Sequence, residues 1–178
     1  MMRKRYQKRK EYLNNYQKND AGQYVYTGDY YRMEGSEAEV KRNYLRLGCL
    51  SLVLLLSVIG SGCINAAGMS NTFYVILPYI AEVALLFAFE WQTVRIFASG
   101  KKIKAYVYAS AAPKISPLAM GLVFVSAVSF VCSAVFMIRN GFENKMLECF
   151  LYLCLKTFTA VGAFTTSRFF DKIIWYKV

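Results

Sequence analysis

Histidine is absent from this chain, and only three aspartates are present. The first absence removes imidazole acid–base chemistry and the commonest metal ligand together. The aspartates (Asp20, Asp29 and Asp171) all lie outside the long apolar stretches, so no intramembrane aspartyl pair exists. Five cysteines occur, but none form a C-x-x-C pair, which excludes a dithiol redox centre of that kind. There is no phosphate-binding glycine loop and no G-x-S-x-G. Acidic residues number 11 against 22 basic ones. These gaps point away from catalysis and lead us to expect neither a cofactor nor a bound metal.

What remains is strongly apolar. Hydrophobic residues make up 56% of the 178 positions, and they gather into four stretches: Tyr44 to Ala66, Phe73 to Ala98, Ile115 to Ile138, and Met146 to Ser167. About 20 apolar residues at 1.5 Å rise each cross a ~30 Å hydrocarbon layer. The expected fold is therefore all-α, a polytopic membrane protein with four transmembrane helices. It divides into a basic, tyrosine-rich arm over residues 1–35 and a transmembrane domain over 36–178.

Basic residues set the orientation. Nineteen lie in the chain up to Arg46, in the segment from Arg95 to Lys114 and from Arg168 onward, and two lie between the third and fourth stretches. Basic residues are enriched on the cytoplasmic side, which places both termini and the middle loop in the cytoplasm of a multi-pass cell-membrane protein. Trp91, Phe97, Tyr106, Tyr108, Trp175 and Tyr176 fall at the inner interface, where amphipathic rings prefer to sit. The net charge of +11 is thereby explained without nucleic acid.

Local signals mark the helix ends. Ser36-Glu37-Ala38-Glu39 has the form of a capping box, and Glu37 to Lys41 is a favourable i,i+4 pair. Ser116-Pro117 reads as an N-cap followed by proline at the first helical position, opening the third span. Asn71 and Asn144 precede the second and fourth spans, and Gly68 and Gly141 follow the first and third. In the arm, Arg3-Lys4-Arg5 and Lys8-Arg9-Lys10 read either as a topology signal or as a contact with anionic lipid. Tyr24 to Tyr31 alternates tyrosine around a Thr27-Gly28-Asp29 turn, the pattern of a short hairpin. The cysteines read as buried thiols, with a Cys63–Cys149 disulfide as the alternative.

Sliding the chain against itself by 73 positions aligns Gly48 with Gly121, Asn71 with Asn144 and Tyr79 with Tyr152. Trp91 to Phe97, containing Arg95, then lies over Phe164 to Phe170, containing Arg168. A duplicated hairpin explains this, as do the common needs of any two such hairpins.

The candidate functional residues are the charges inside the apolar stretches: Glu82, Glu90 and Lys156. A charge near the bilayer centre costs on the order of 3 kcal/mol by insertion scales, so it turns toward protein or water. Glu82 lies about nine residues into the second span and Lys156 about ten into the fourth, within roughly 5 Å in depth. Pro78 stands one turn before Glu82, where it frees a carbonyl near Tyr74 and can bend the helix. Glu90, two turns beyond, has Lys156 or Arg95 as possible partners. Arg95 and Arg168 mark the inner interface. The polar spot is a structural ion pair, a pathway or binding site, or a meeting point with a partner subunit. Small residues at Ser57, Ser61 and Asn65, and at Thr159, Ala163 and Ser167, favour close helix packing.

The expected function is an accessory or small transport-type subunit, non-catalytic, in a homo-oligomer or with other membrane subunits. The alternative is a membrane anchor or regulatory protein whose basic arm contacts a partner or anionic lipid.

Overall fold

Ser36 starts the first long helix as its sequence requires. Its hydroxyl accepts from the Glu39 N–H at 3.3 Å, and the Glu39 carboxylate accepts from the Ser36 N–H at 2.8 Å. Both halves of the capping box are thus made. The computed structural model describes residues 15–20, 22–64, 71–141 and 145–178. Arg3 to Lys10, Asn65, Ala66, Gly68 and Asn144 lie outside the described residues.

Among the described residues four helices dominate: α1 (Glu37–Gly62), α2 (Phe73–Ala98), α3 (Ala105–Asn140) and α4 (Met146–Asp171). All four are long and apolar enough to cross a membrane. Five short strands accompany them: β1 (Tyr16–Lys18), β2 (Tyr24–Tyr26), β3 (Tyr30–Met33), β4 (Ile103–Lys104) and β5 (Trp175–Lys177). The chain is mostly helical, with two small sheets added to the all-α expectation.

The third helix corrects the boundary read from Ser116-Pro117. Helix α3 begins at Ala105, ten residues before the expected start at Ile115, and carries Pro113 and Pro117 inside it. Ser116 is not a cap; its hydroxyl meets that of Ser167 at 2.8 Å. A proline within a helix costs ~3 kcal/mol or more. The added turns offset this by burying Val107, Ala111, Ala112 and Ile115 along one face. Asn71 is likewise not the cap of α2, which has Thr72 at that position and no side-chain cap bond. Gly141 does end α3, with φ at 72°, a conformation glycine adopts without steric penalty. Helix α2 remains continuous through Pro78.

Packing runs from α1 to α2, α2 to α3, α3 to α4 and α4 back to α1, so α2 and α4 face each other across the bundle. Helix α3 makes the most extensive seams, with α2 and with α4, whereas the α1–α2 seam is the least developed. The two small-residue stripes meet where Thr159 donates to the Ser57 hydroxyl at 3.0 Å. Outward faces are apolar: Phe124 is 71% exposed and Phe150 67%. An apolar outer surface of this extent is compatible with a multi-pass membrane protein.

At one end of the bundle the arm, the α2–α3 connection and the C-terminus join in a single sheet ordered β4-β3-β5. Tyr30 and Tyr31 pair with Lys104 and Ile103, while Tyr31, Arg32 and Met33 pair with Lys177, Tyr176 and Trp175. We refer to this as the sheet end. The Tyr24–Tyr31 hairpin is not formed. Strand β2 pairs with β1 instead, and Thr27-Gly28-Asp29 carries the chain from one sheet to the other. The reason is burial. The Tyr31 ring stacks on Tyr108 at 4.2 Å, and Met33 is fully enclosed, contacts an isolated hairpin would lack. Glu37 also departs from expectation, pairing with Lys101 at 3.4 Å rather than with Lys41. Asp29 pairs with Lys177 at 2.8 Å, and the hydrogen bond it accepts raises the pKa of that lysine.

Candidate functional site

The rise of a helix fixes depth but not direction, and the structure supplies the direction. Glu82 on α2 and Lys156 on α4 both point into the bundle, where neither side chain has any exposure. Their charged groups form an ion pair across the diagonal between helices that otherwise pack little on each other. The second carboxylate oxygen, Oε1, accepts a hydrogen bond of 2.6 Å from Ser126 on α3. A buried charge pair is tolerated when additional hydrogen bonds satisfy the remaining lone pairs, and Ser126 supplies one.

Lys156 has further partners. Its Nζ lies 4.7 Å from the ring centroid of Tyr79 and 5.1 Å from that of Tyr152. The ring quadrupoles attract the ammonium, by ~2 kcal/mol or more where water is excluded. Tyr79 lies one turn before Glu82 on α2, and Tyr152 one turn before Lys156 on α4. The i,i+3 and i,i+4 spacings bring ring and charge to the same helix face. One cation is thus held by a carboxylate and two aromatic faces from both sides of the bundle.

The two directions away from the pair differ. Toward the end opposite the sheet, Tyr79 and Tyr152 line a cavity of about 220 Å³ together with Ser61, Gly62, Val75 and Ile76. A Cβ at Gly62 would fall on the Tyr79 hydroxyl, so glycine is what admits the ring there. Toward the sheet end, Leu54, Leu86, Phe89, Ala119 and Leu122 are buried together in the core. The pair thus lies beside two rings that line a cavity on one side and beside buried apolar side chains on the other.

Glu90 joins neither Lys156 nor Arg95. Its Oε2 accepts from the Ser51 hydroxyl across the α1–α2 seam, and its Oε1 is buried without a hydrogen-bond partner among the described residues. Arg95 donates to Gln92 Oε1 at 3.2 Å and to Ser110 Oγ at 2.7 Å. Arg168 is exposed, with its guanidinium 5.1 Å from the ring centroid of Phe164. The five sequence-derived positions thus resolve into one closed pair and three separate sites.

Sequence reasoning missed Ser126, Tyr79 and Tyr152 as partners of the pair. The tyrosines carried a signal, their alignment at an offset of 73, but nothing in that alignment indicated a shared target. Ser126 carried none, being one of several serines on α3. Cys63 is exposed and Cys149 is buried with Val75, Phe136 and Met137, and neither is disulfide-bonded. No group of three metal-ligating side chains comes together among the described residues.

No protein-family model, curated protein or solved structure matches this chain.

Proposed function

We propose that this is a multi-pass protein of the cell membrane with both termini and the α2–α3 connection in the cytoplasm. It serves as a non-catalytic accessory or small transport-type subunit within an oligomer or larger membrane complex. The observation that carries this reading is the Glu82–Lys156–Ser126 network, fully enclosed yet separated from a cavity only by Tyr79 and Tyr152. A purely apolar core would be the cheaper solution for four packed spans, because replacing a buried ion pair by apolar residues is often neutral or stabilising. Retaining the pair beside a cavity suits a polar site that a solute or proton approaches from one side. The apolar side chains packed toward the sheet end lie between the pair and that side, which favours passage by movement or with a second subunit.

The orientation has two independent supports. One is the distribution of basic residues, and the other is the sheet that unites arm, middle connection and C-terminus at one end. In this orientation the cavity faces outward. The matching bounds of α2 and α4, both shifted by 73 positions, favour descent of the two hairpins from one ancestor.

Purification of the full chain in mild detergent, with mass measurement of what co-elutes, tests the assembly. A stable oligomer or a reproducible membrane partner supports it. A strictly monomeric species without partners, from membranes where the protein is intact, would overturn it.

A further inference from the structure

Two cations at the sheet end share one cavity and have no counter-charge among the described residues. The space between the last turn of α2 and the first turn of α3 measures about 360 Å³ and is lined by Arg95, Ala98, Ser99, Lys104, Tyr106 and Val107. Arg95 is held by neutral acceptors only, the Gln92 amide oxygen and the Ser110 hydroxyl. Lys104 Nζ donates to the Tyr16 hydroxyl at 3.3 Å and lies 5.3 and 5.4 Å from the rings of Tyr16 and Tyr26. Neither cation has an ion pair among the described residues, whereas Lys101, Lys145, Lys156 and Lys177 each have a carboxylate. Among the described residues, no acidic side chain lines the cavity.

We propose that this cavity binds a phosphate group, with Arg95 and Lys104 as its two cationic ligands. Gln92 and Ser110 each engage one end nitrogen of the guanidinium, and five N–H donors in a fixed fork leave others for the ligand. That fork matches phosphate oxygens in a bidentate manner, while an ammonium adds a mobile point charge. Neutral partners position both groups without quenching them. The volume falls within the ~300–1,000 Å³ of small-molecule sites, too large for a single water or halide to fill. The cavity also abuts the first turn of α3, which has no side-chain cap and no acidic residue. A phosphate there would complement the helix dipole as well.

The equivalent region 73 positions on makes the contrast. There, Lys177 is paired with Asp29, Arg168 lies exposed over Phe164, and Asp171 lines the cavity between α3 and α4. Position 98, where an alanine lines the first cavity, corresponds to that aspartate. The cationic character is confined to one of the two places where the fold could have built it.

The phosphate has two possible sources, a lipid headgroup or a free phosphate compound, and both are tested with the full chain in detergent. Native mass spectrometry measures retention of phosphatidylglycerol against phosphatidylcholine. Thermal unfolding with inorganic phosphate or pyrophosphate measures the free ligand. Arg95→Gln and Lys104→Gln should each weaken binding by about ten-fold or more, the loss of a charge-assisted contact. Arg95→Lys keeps the charge but loses the fork, and should recover only part of it. Lys101→Gln, which removes a cation outside the cavity, should leave binding unchanged. Loss of phosphatidylglycerol retention alone identifies the lipid, and loss of stabilisation by phosphate or pyrophosphate identifies the free compound. Binding of neither probe, or equal weakening by Lys101→Gln, would overturn the proposal. Lys104→Gln keeps the test valid should Arg95→Gln fold poorly, because Lys104 lies in a short strand outside the helices.

Discussion

Tyr79 and Tyr152 stand 73 positions apart in the chain and turn their rings toward the same ammonium group, Lys156 Nζ. They come from helices on opposite sides of the bundle. Two aromatic residues that align at this offset thus meet at one cation, although the cation and its carboxylate have no counterparts at the same offset. Val83 occupies the position equivalent to Lys156, and Leu155 the position equivalent to Glu82.

The pair itself gives the sharpest prediction. Removing one partner of a buried ion pair strands the other charge and typically costs about 3–5 kcal/mol, while replacing both is often neutral. Glu82→Gln and Lys156→Met should each lower the yield of monodisperse protein in detergent, and the double variant should restore it. Single variants that behave like wild type would sink the idea. A double variant that folds but loses transport or partner binding would assign the pair a functional role as well.

The aromatic contacts are separable from the ion pair. Tyr79→Phe and Tyr152→Phe keep the ring face and should leave thermal stability nearly unchanged. Tyr79→Leu and Tyr152→Leu remove it and should each cost about 1–2 kcal/mol. Equal losses for phenylalanine and leucine would show that the hydroxyls matter and the ring faces do not.

Gly62 and Tyr79 should be coupled. Gly62→Ala places a methyl on the Tyr79 hydroxyl and should destabilise by about 1–3 kcal/mol through overpacking. In a Tyr79→Ala background, where both the hydroxyl and the ring carbon Cζ 2.7 Å from the added methyl are gone, the same substitution should cost much less. Additive losses in the two backgrounds would mean the ring has moved away from Gly62.

Orientation is testable by reporter fusions. Fusions at Lys18, after Lys104 and at the C-terminus should report cytoplasm, and one at Ser70 should report the outside. The β4-β3-β5 sheet adds a constraint that charge counting lacks, since its three segments must share one side. Opposite signals from the Lys104 and C-terminal fusions would contradict the sheet and the orientation together.

Much of this protein was legible along the chain because the relevant physics is local. Four apolar stretches of sufficient length dictate four long helices, and a capping box at Ser36 dictates where the first begins. A constant rise of 1.5 Å per residue places Glu82 and Lys156 at matching depth before any packing is known. The same local rules misread Ser116-Pro117, because a proline suits a helix start yet is tolerated inside one when the preceding turn gains burial. What depth cannot supply is direction. Glu90 lies only two turns from Glu82, yet it faces Ser51 on α1 while Glu82 faces Lys156. Rotation about the helix axis and the choice of neighbour decide which residues meet, and both are set by how all four helices pack at once. Ser126, the two rings on Lys156 and the sheet joining three distant segments were decided there, at the tertiary level, because each joins residues that no local pattern connects.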